Sequence, residues 1–228
     1  MTITPTVLSR SAGVAAIAAG LIFIGVQIGH PDLDVTSVGT AEWTLRNSAK
    51  AVFAALGLAG ITGMYLRQVR QMGVVGLIGY LLLGSGYLLI LGTSLVAGYV
   101  LPSLAQTDPA YVDAVLAVAA GGMPASDIGT LHPALLVEGF AYLAGGLLFG
   151  IALFRARVLA RWAAILLAVG AVLSVALPAL SDSAYRLLAY PHAVAMVGLG
   201  YSLWCSHRSN DPAGSARAPD AGREPVDA

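Results

Sequence analysis

The sequence predicts an all-α fold: a polytopic membrane helix bundle with six transmembrane helices and both termini cytoplasmic. Three observations predict it. The 228 residues are 57% hydrophobic and 11% charged, where soluble domains carry roughly 25% charged residues. Six apolar stretches approach the roughly 20 residues that cross about 30 Å of hydrocarbon. Arginines gather in alternate connections, as they do in segments kept on the cytoplasmic side.

The expected spans follow in order. The first runs from Ala12 to Gly29 without a charge. Arg10 and the apolar run would suit a cleaved leader, but no A-x-A site follows, so it is read as a span. The second covers about Ser48 to Leu66, with Lys50 near enough to its end to snorkel. The third, Val74 to Val100, is long enough to tilt or project. The fourth extends from Leu131 to Phe154 and contains Glu138; the fifth runs from Trp162 to about Leu180, and the sixth from about Leu187 to Trp204. Together they make a transmembrane domain over residues 1–205. Residues 206–228 are small, polar and proline-containing, and read as a disordered cytoplasmic tail.

Arg10, Arg67, Arg70, Arg155, Arg157, Arg161 and Arg208 fall on one side of a six-span count, while most acids fall on the other. The chain is therefore expected in the cell membrane as a multi-pass protein. In the longest outer connection, Asp108 can cap a helix that begins at Pro109 and ends at Gly121-Gly122. Its apolar face of Tyr111, Val112, Val115 and Leu116 is expected on the outer leaflet.

Equal numbers of acids and bases give no basic surface for nucleic acid. A single cysteine, Cys205, excludes an internal disulfide and a cysteine-based zinc site. No nucleotide-binding, zinc-protease or serine-hydrolase signature occurs. The informative residues are then the ionisable ones at membrane depth. Glu138 lies about 10 Å inside the fourth span at 1.5 Å per residue. Tyr142 and Gly145 share its helix face. A carboxyl there can carry the proton a general acid needs; the alternative is a carboxyl hydrogen-bonded to a neighbouring helix to hold the bundle.

Two further clusters lie at the same outer end. In AEWTLRNSAK, Glu42 and Arg46 are spaced i, i+4 to pair, and Trp43 suits an interface. In SDSAYRLLAYPHA, Asp182 precedes Arg186 by four residues, and Pro191 is expected to kink the helix beside His192. Glu138, Glu42 and Asp182 are the catalytic candidates. Trp43, Arg46, His132, Tyr142, Arg186 and His192 are the substrate-binding ones. All are expected to converge. His30, His132 and His192 are ligand types for zinc or iron, but none is paired at i, i+4, so neither metal nor cofactor is expected.

The phrases GMYLRQVRQMGVVGLIGYLLLGSG, GGLLFGIALFRARVLARWAAILLAVGAVL and GLGYSLW resemble small multi-pass membrane proteins of high-GC actinobacteria. In size, in helix count to within one, and in isolated acids near one membrane face, the chain is also similar to small integral membrane terpene cyclases. That resemblance implies intramembrane carboxylic acids protonating an olefin or epoxide on a prenylated, lipid-soluble substrate, with no cofactor. Glu138 and Glu42 match such acids in type and depth. Two other function classes stand beside the enzyme: a small proton-coupled transporter and a non-catalytic subunit of a membrane complex.

Overall fold

A computed structural model describes residues 4–174, 187 and 189–206. Every regular element among them is helical. Helix α1, Pro5–Gln27, begins where Thr4 accepts the Val7 N–H and Pro5 takes the first position. Its start lies a full two turns before the expected Ala12, because the cap and not the first apolar residue sets the boundary. The short α2, Val35–Val38, is capped by Asp34. Helix α3, Ala41–Arg67, starts at the Thr40 cap, so Glu42, Trp43 and Arg46 belong to its first turns and not to a preceding segment.

Helix α4, Val69–Leu95, is interrupted at Gly73, whose φ of 58° a residue with a side chain rarely adopts. A π-helical turn, Val96–Val100, joins it to α5, Leu101–Thr107. The whole run Val69–Thr107 is 39 residues, longer than the expected third span. The widened turn lets the helix accommodate Pro102 instead of stopping there. Helix α6, Pro109–Ala119, is capped by Asp108 as its sequence predicts. Helix α7, Leu131–Ala156, reproduces the expected fourth span, and Arg157 closes it with a φ of 58°.

Helix α8, Arg161–Ser174, and helix α9, Ala189–Cys205, correspond to the described parts of the last two expected spans. Pro191 lies in the first turn of α9, where its missing N–H costs little, so it marks a helix start and not an internal kink. Asp182, Arg186 and the tail from 207 to 228 lie outside the described residues.

Four helices, α1, α3, the α4–α5 run and α7, are long and apolar enough to cross a membrane. They pack with α8 and α9 in a closed ring in chain order, α1 against α3, α3 against α4, α4 against α7, α7 against α8, α8 against α9 and α9 back on α1. Close approaches run in opposite directions along each pair. On α4 and α7, for example, Gly79 meets Phe149 and Gly86 meets Tyr142. Antiparallel neighbours therefore alternate around the ring.

In hydrocarbon, helix association relies on close packing more than on exclusion of water. The α4–α7 seam shows how. A Cβ at Gly79 would come within 2.5 Å of the Phe149 backbone nitrogen, and one at Gly145 would overlap the backbone of Leu83. Phe53, Ile61, Met64, Leu83, Phe149, Leu153, Leu167, Met196 and Leu199 fill the bundle core. A second apolar cluster lies at the end of the bundle that carries α6. Val112, Val115, Leu116 and Val118 of α6 pack there with Val38, Trp43, Leu101 and Ile128. The α6 face expected on the leaflet is thus spent on the protein itself, capping the bundle.

Candidate functional site

The sequence-predicted residues separate into three places. The first is a partly open cavity of about 510 Å³ beneath the α6 cap, with walls from α3, α4, α6 and α7. Its lining is largely apolar, including Leu33, Leu101, Val115, Leu116, Leu131 and Leu135. Its polar groups come from Trp43, Asn47, Lys50, Thr93, Ser94 and Glu138. Glu138 is the one carboxylic acid among the described lining residues. Thr93 donates to its Oε2 at 2.6 Å, while the same hydroxyl sits 3.0 Å from the Leu89 carbonyl. Lys50 of α3 lines the same space.

Trp43 lines this cavity, but its indole has a second task. Pro102 has no N–H, so the carbonyls of Ala97 and Gly98 lose the donor that either an α or a π ladder would supply there. The Trp43 Nε1–H donates to the Ala97 oxygen at 2.8 Å, and the Thr44 hydroxyl donates to the Gly98 oxygen at 3.1 Å. Two groups on α3 thereby satisfy the turn that shapes one cavity wall.

The second place is the end of α1. Arg46 donates from Nη1 to the carbonyls of Val26 and Ile28 at 2.7 and 2.9 Å, and from Nη2 to that of Gly29 at 2.9 Å. Its Nε and Nη2 also bond one oxygen of Glu42, at 2.8 and 2.7 Å. The pair forms as its spacing predicts. Its work is to close the C-terminus of α1, whose last carbonyls otherwise lack donors. Neither residue is among those lining the cavity. Nearby, His30 Nδ1 sits 2.8 Å from the Pro31 oxygen and its Nε2 3.2 Å from Lys50 Nζ. A carbonyl can only accept, so the proton is on Nδ1 and Nε2 receives the ammonium N–H.

The third place is the bundle core. His192, 5% exposed, has its Nε2 2.9 Å from the hydroxyl of fully buried Tyr87. Phe53 stands edge-on to Tyr87 at 5.5 Å and stacks on Phe23 at 4.4 Å. Tyr142 lies 4.8 Å from the His192 ring. Its hydroxyl is buried without a hydrogen bond among the described residues. Glu138, Tyr142 and Gly145 do share the α4-facing side of α7, yet they meet different surroundings: Thr93, Gly86 and Leu83.

His132 caps no cavity wall; its N–H bonds the Gly129 oxygen at 3.3 Å in the first turn of α7. Among the described residues no three His, Cys, Asp or Glu side chains gather closely enough to hold a metal.

Sequence reasoning overlooked Asn47, Thr93 and Ser94, and read Lys50 as a snorkelling anchor. A signal existed in the spacing of Trp43, Asn47 and Lys50, which occupy one helix face at i, i+4 and i+7. No protein-family model matches the chain, and neither a curated protein nor a solved structure does so.

Proposed function

We propose that this chain is a multi-pass protein of the cell membrane, with six spans and both termini cytoplasmic, that cyclises a prenylated, lipid-soluble substrate by acid in the outer-end cavity. The alternating ring supports the topology. Antiparallel neighbours bring Arg10, Arg67, Arg70, Arg155, Arg157 and Arg161 to one end of the bundle, where the bias of arginine toward the cytoplasm orients it.

The observation that carries the chemical reading is the position of Glu138. It is the single described carboxylic acid on the wall of a mostly apolar space, and it is held there by Thr93. With Oε2 occupied by the Thr93 hydroxyl, Oε1 is left to carry the proton. That proton adds to an alkene carbon or to an epoxide oxygen of the substrate. A neighbouring double bond then supplies its electron pair to the electron-poor carbon, closing a carbon–carbon ring bond. Loss of a proton from the last carbocation to the Glu138 carboxylate gives a neutral product and restores the acid. The sequence is an isomerisation and consumes nothing else. Trp43 and Phe140 on the walls offer aromatic faces that favour cationic charge.

The test is turnover in membranes containing the protein, supplied with linear prenyl and epoxidised prenyl substrates and analysed for cyclised product. Glutamine keeps the shape of Glu138 but has no acidic proton, so Glu138→Gln should lower the rate about 10²- to 10⁴-fold. Undiminished product from Glu138→Gln, or no product from any linear substrate with the native chain, would overturn the assignment.

A further inference from the structure

The polar groups of the cavity are distributed against the usual direction of a membrane. Apolar side chains such as Leu33, Leu101, Val115 and Leu116 form the outer roof. Ser94 and Asn47 lie further along their helices toward the bundle, and both line the same space.

Ser94 is only 5% exposed. A hydroxyl inside a helix ordinarily donates to a carbonyl one turn back. Ser48 and Thr62 both do so, to Thr44 and Leu58 at 2.8 and 2.7 Å. Ser94 makes no such bond, nor any other with the described residues. Asn47, 3% exposed, donates from Nδ2 to the Trp43 carbonyl at 3.0 Å, and its Oδ1 accepts from none of the described groups. The two residues line one cavity from α3 and α4. A Cβ at Gly98, one turn beyond Ser94, would stand 3.2 Å from the Asn47 Cβ. A hydroxyl and an amide oxygen on two nearly buried residues that line one cavity, without partners among the described residues, are groups that a ligand can satisfy.

We infer that Ser94 and Asn47 form a subsite for the ligand's polar head. The ligand class is a prenyl chain bearing an uncharged hydroxyl, seated head-inward with its apolar body beneath α6. The chemistry of the pair selects such a head. Ser94 donates to the head oxygen, and the head hydroxyl donates to Asn47 Oδ1. The Lys50 ammonium on the wall already has the His30 Nε2 at 3.2 Å, and the unpartnered groups that face the head, a hydroxyl and an amide oxygen, are neutral. This rests on the cavity being the substrate site proposed above.

The experiment measures equilibrium binding of farnesol and of farnesene, an uncharged hydrocarbon of the same chain length, to the full chain in lipid nanodiscs. The native chain should bind farnesol more tightly than farnesene. Ser94→Ala removes one oxygen and adds nothing, and should weaken farnesol binding about 3- to 10-fold, the range of one neutral hydrogen bond, while leaving farnesene unchanged. Ser48→Ala should change neither affinity, because that hydroxyl is engaged by Thr44 and Tyr99. Equal native affinities for the two probes, or an equal loss of both in Ser94→Ala, would overturn the head subsite while leaving the cavity as a binding site. Failure of the native chain to bind either probe would overturn the cavity reading and the subsite with it.

Discussion

The two halves of the α4–α7 seam follow the same antiparallel register and reach opposite results. In the inner half, Gly76, Gly79, Leu83 and Gly86 of α4 face Ala152, Phe149, Gly145 and Tyr142 of α7, and glycines let the backbones touch. In the outer half the facing residues become Ile90 and Thr93 against Glu138, and a cavity of about 510 Å³ opens beside them. Glycine gives helices in hydrocarbon a contact that leaves no room for a ligand. Larger and polar side chains hold the helices to hydrogen bonds and leave space. One seam therefore contributes a rigid base and a binding wall.

The sharpest way to break that contrast is to place bulk in the closed half. Gly145→Leu forces a Cβ into the backbone of Leu83, where neither side can give way easily. It should destabilise the bundle by about 3 kcal/mol or more, at the upper end of overpacking effects. Thermal unfolding in detergent checks this. A melting temperature equal to that of the native chain would show that the seam is loosely packed.

The open half should respond to the loss of a single hydrogen bond. Trp43→Phe keeps a ring over the cavity but leaves the Ala97 carbonyl without its donor. An unmet buried carbonyl costs about 1–3 kcal/mol. The variant should also raise hydrogen exchange around the π-helical turn while sparing the inner half of α4. Uniform destabilisation along α4 would mean that the two halves are not separable.

The smallest effect belongs to the exposed loop before α3. The Thr36 hydroxyl and the Ser37 N–H, at 2.6 and 2.7 Å, hold the Asp34 carboxyl below its usual value of 3.8. A group lowered on folding stabilises fully above the unfolded value, and that contribution is lost as pH falls through the lower folded value. The native chain should therefore lose a small increment of stability in this acidic range that Asp34→Asn lacks. Parallel pH profiles for the two proteins would remove Asp34 from the account of how α2 is held.

The helical elements, the cap at Asp108, the four long apolar helices and the Glu42–Arg46 pair follow from local rules of spacing, propensity and hydropathy, which need no knowledge of neighbours. Arg46 is the instructive exception within that success. Its partner at i−4 is local, but the three carbonyls at and just past the end of α1 that define its role lie 17 to 20 residues away. The order of helices around the ring decided everything else. It placed Glu138 beside Thr93 and Tyr142 beside His192, although one helix turn separates the two α7 residues. It also folded α6 back over the bundle, where a hydrophobic face alone cannot distinguish lipid from protein. Hydropathy records how much apolar surface a segment must bury. Only packing, through the few contacts that glycine and the π turn permit, determines which side chains share a cavity.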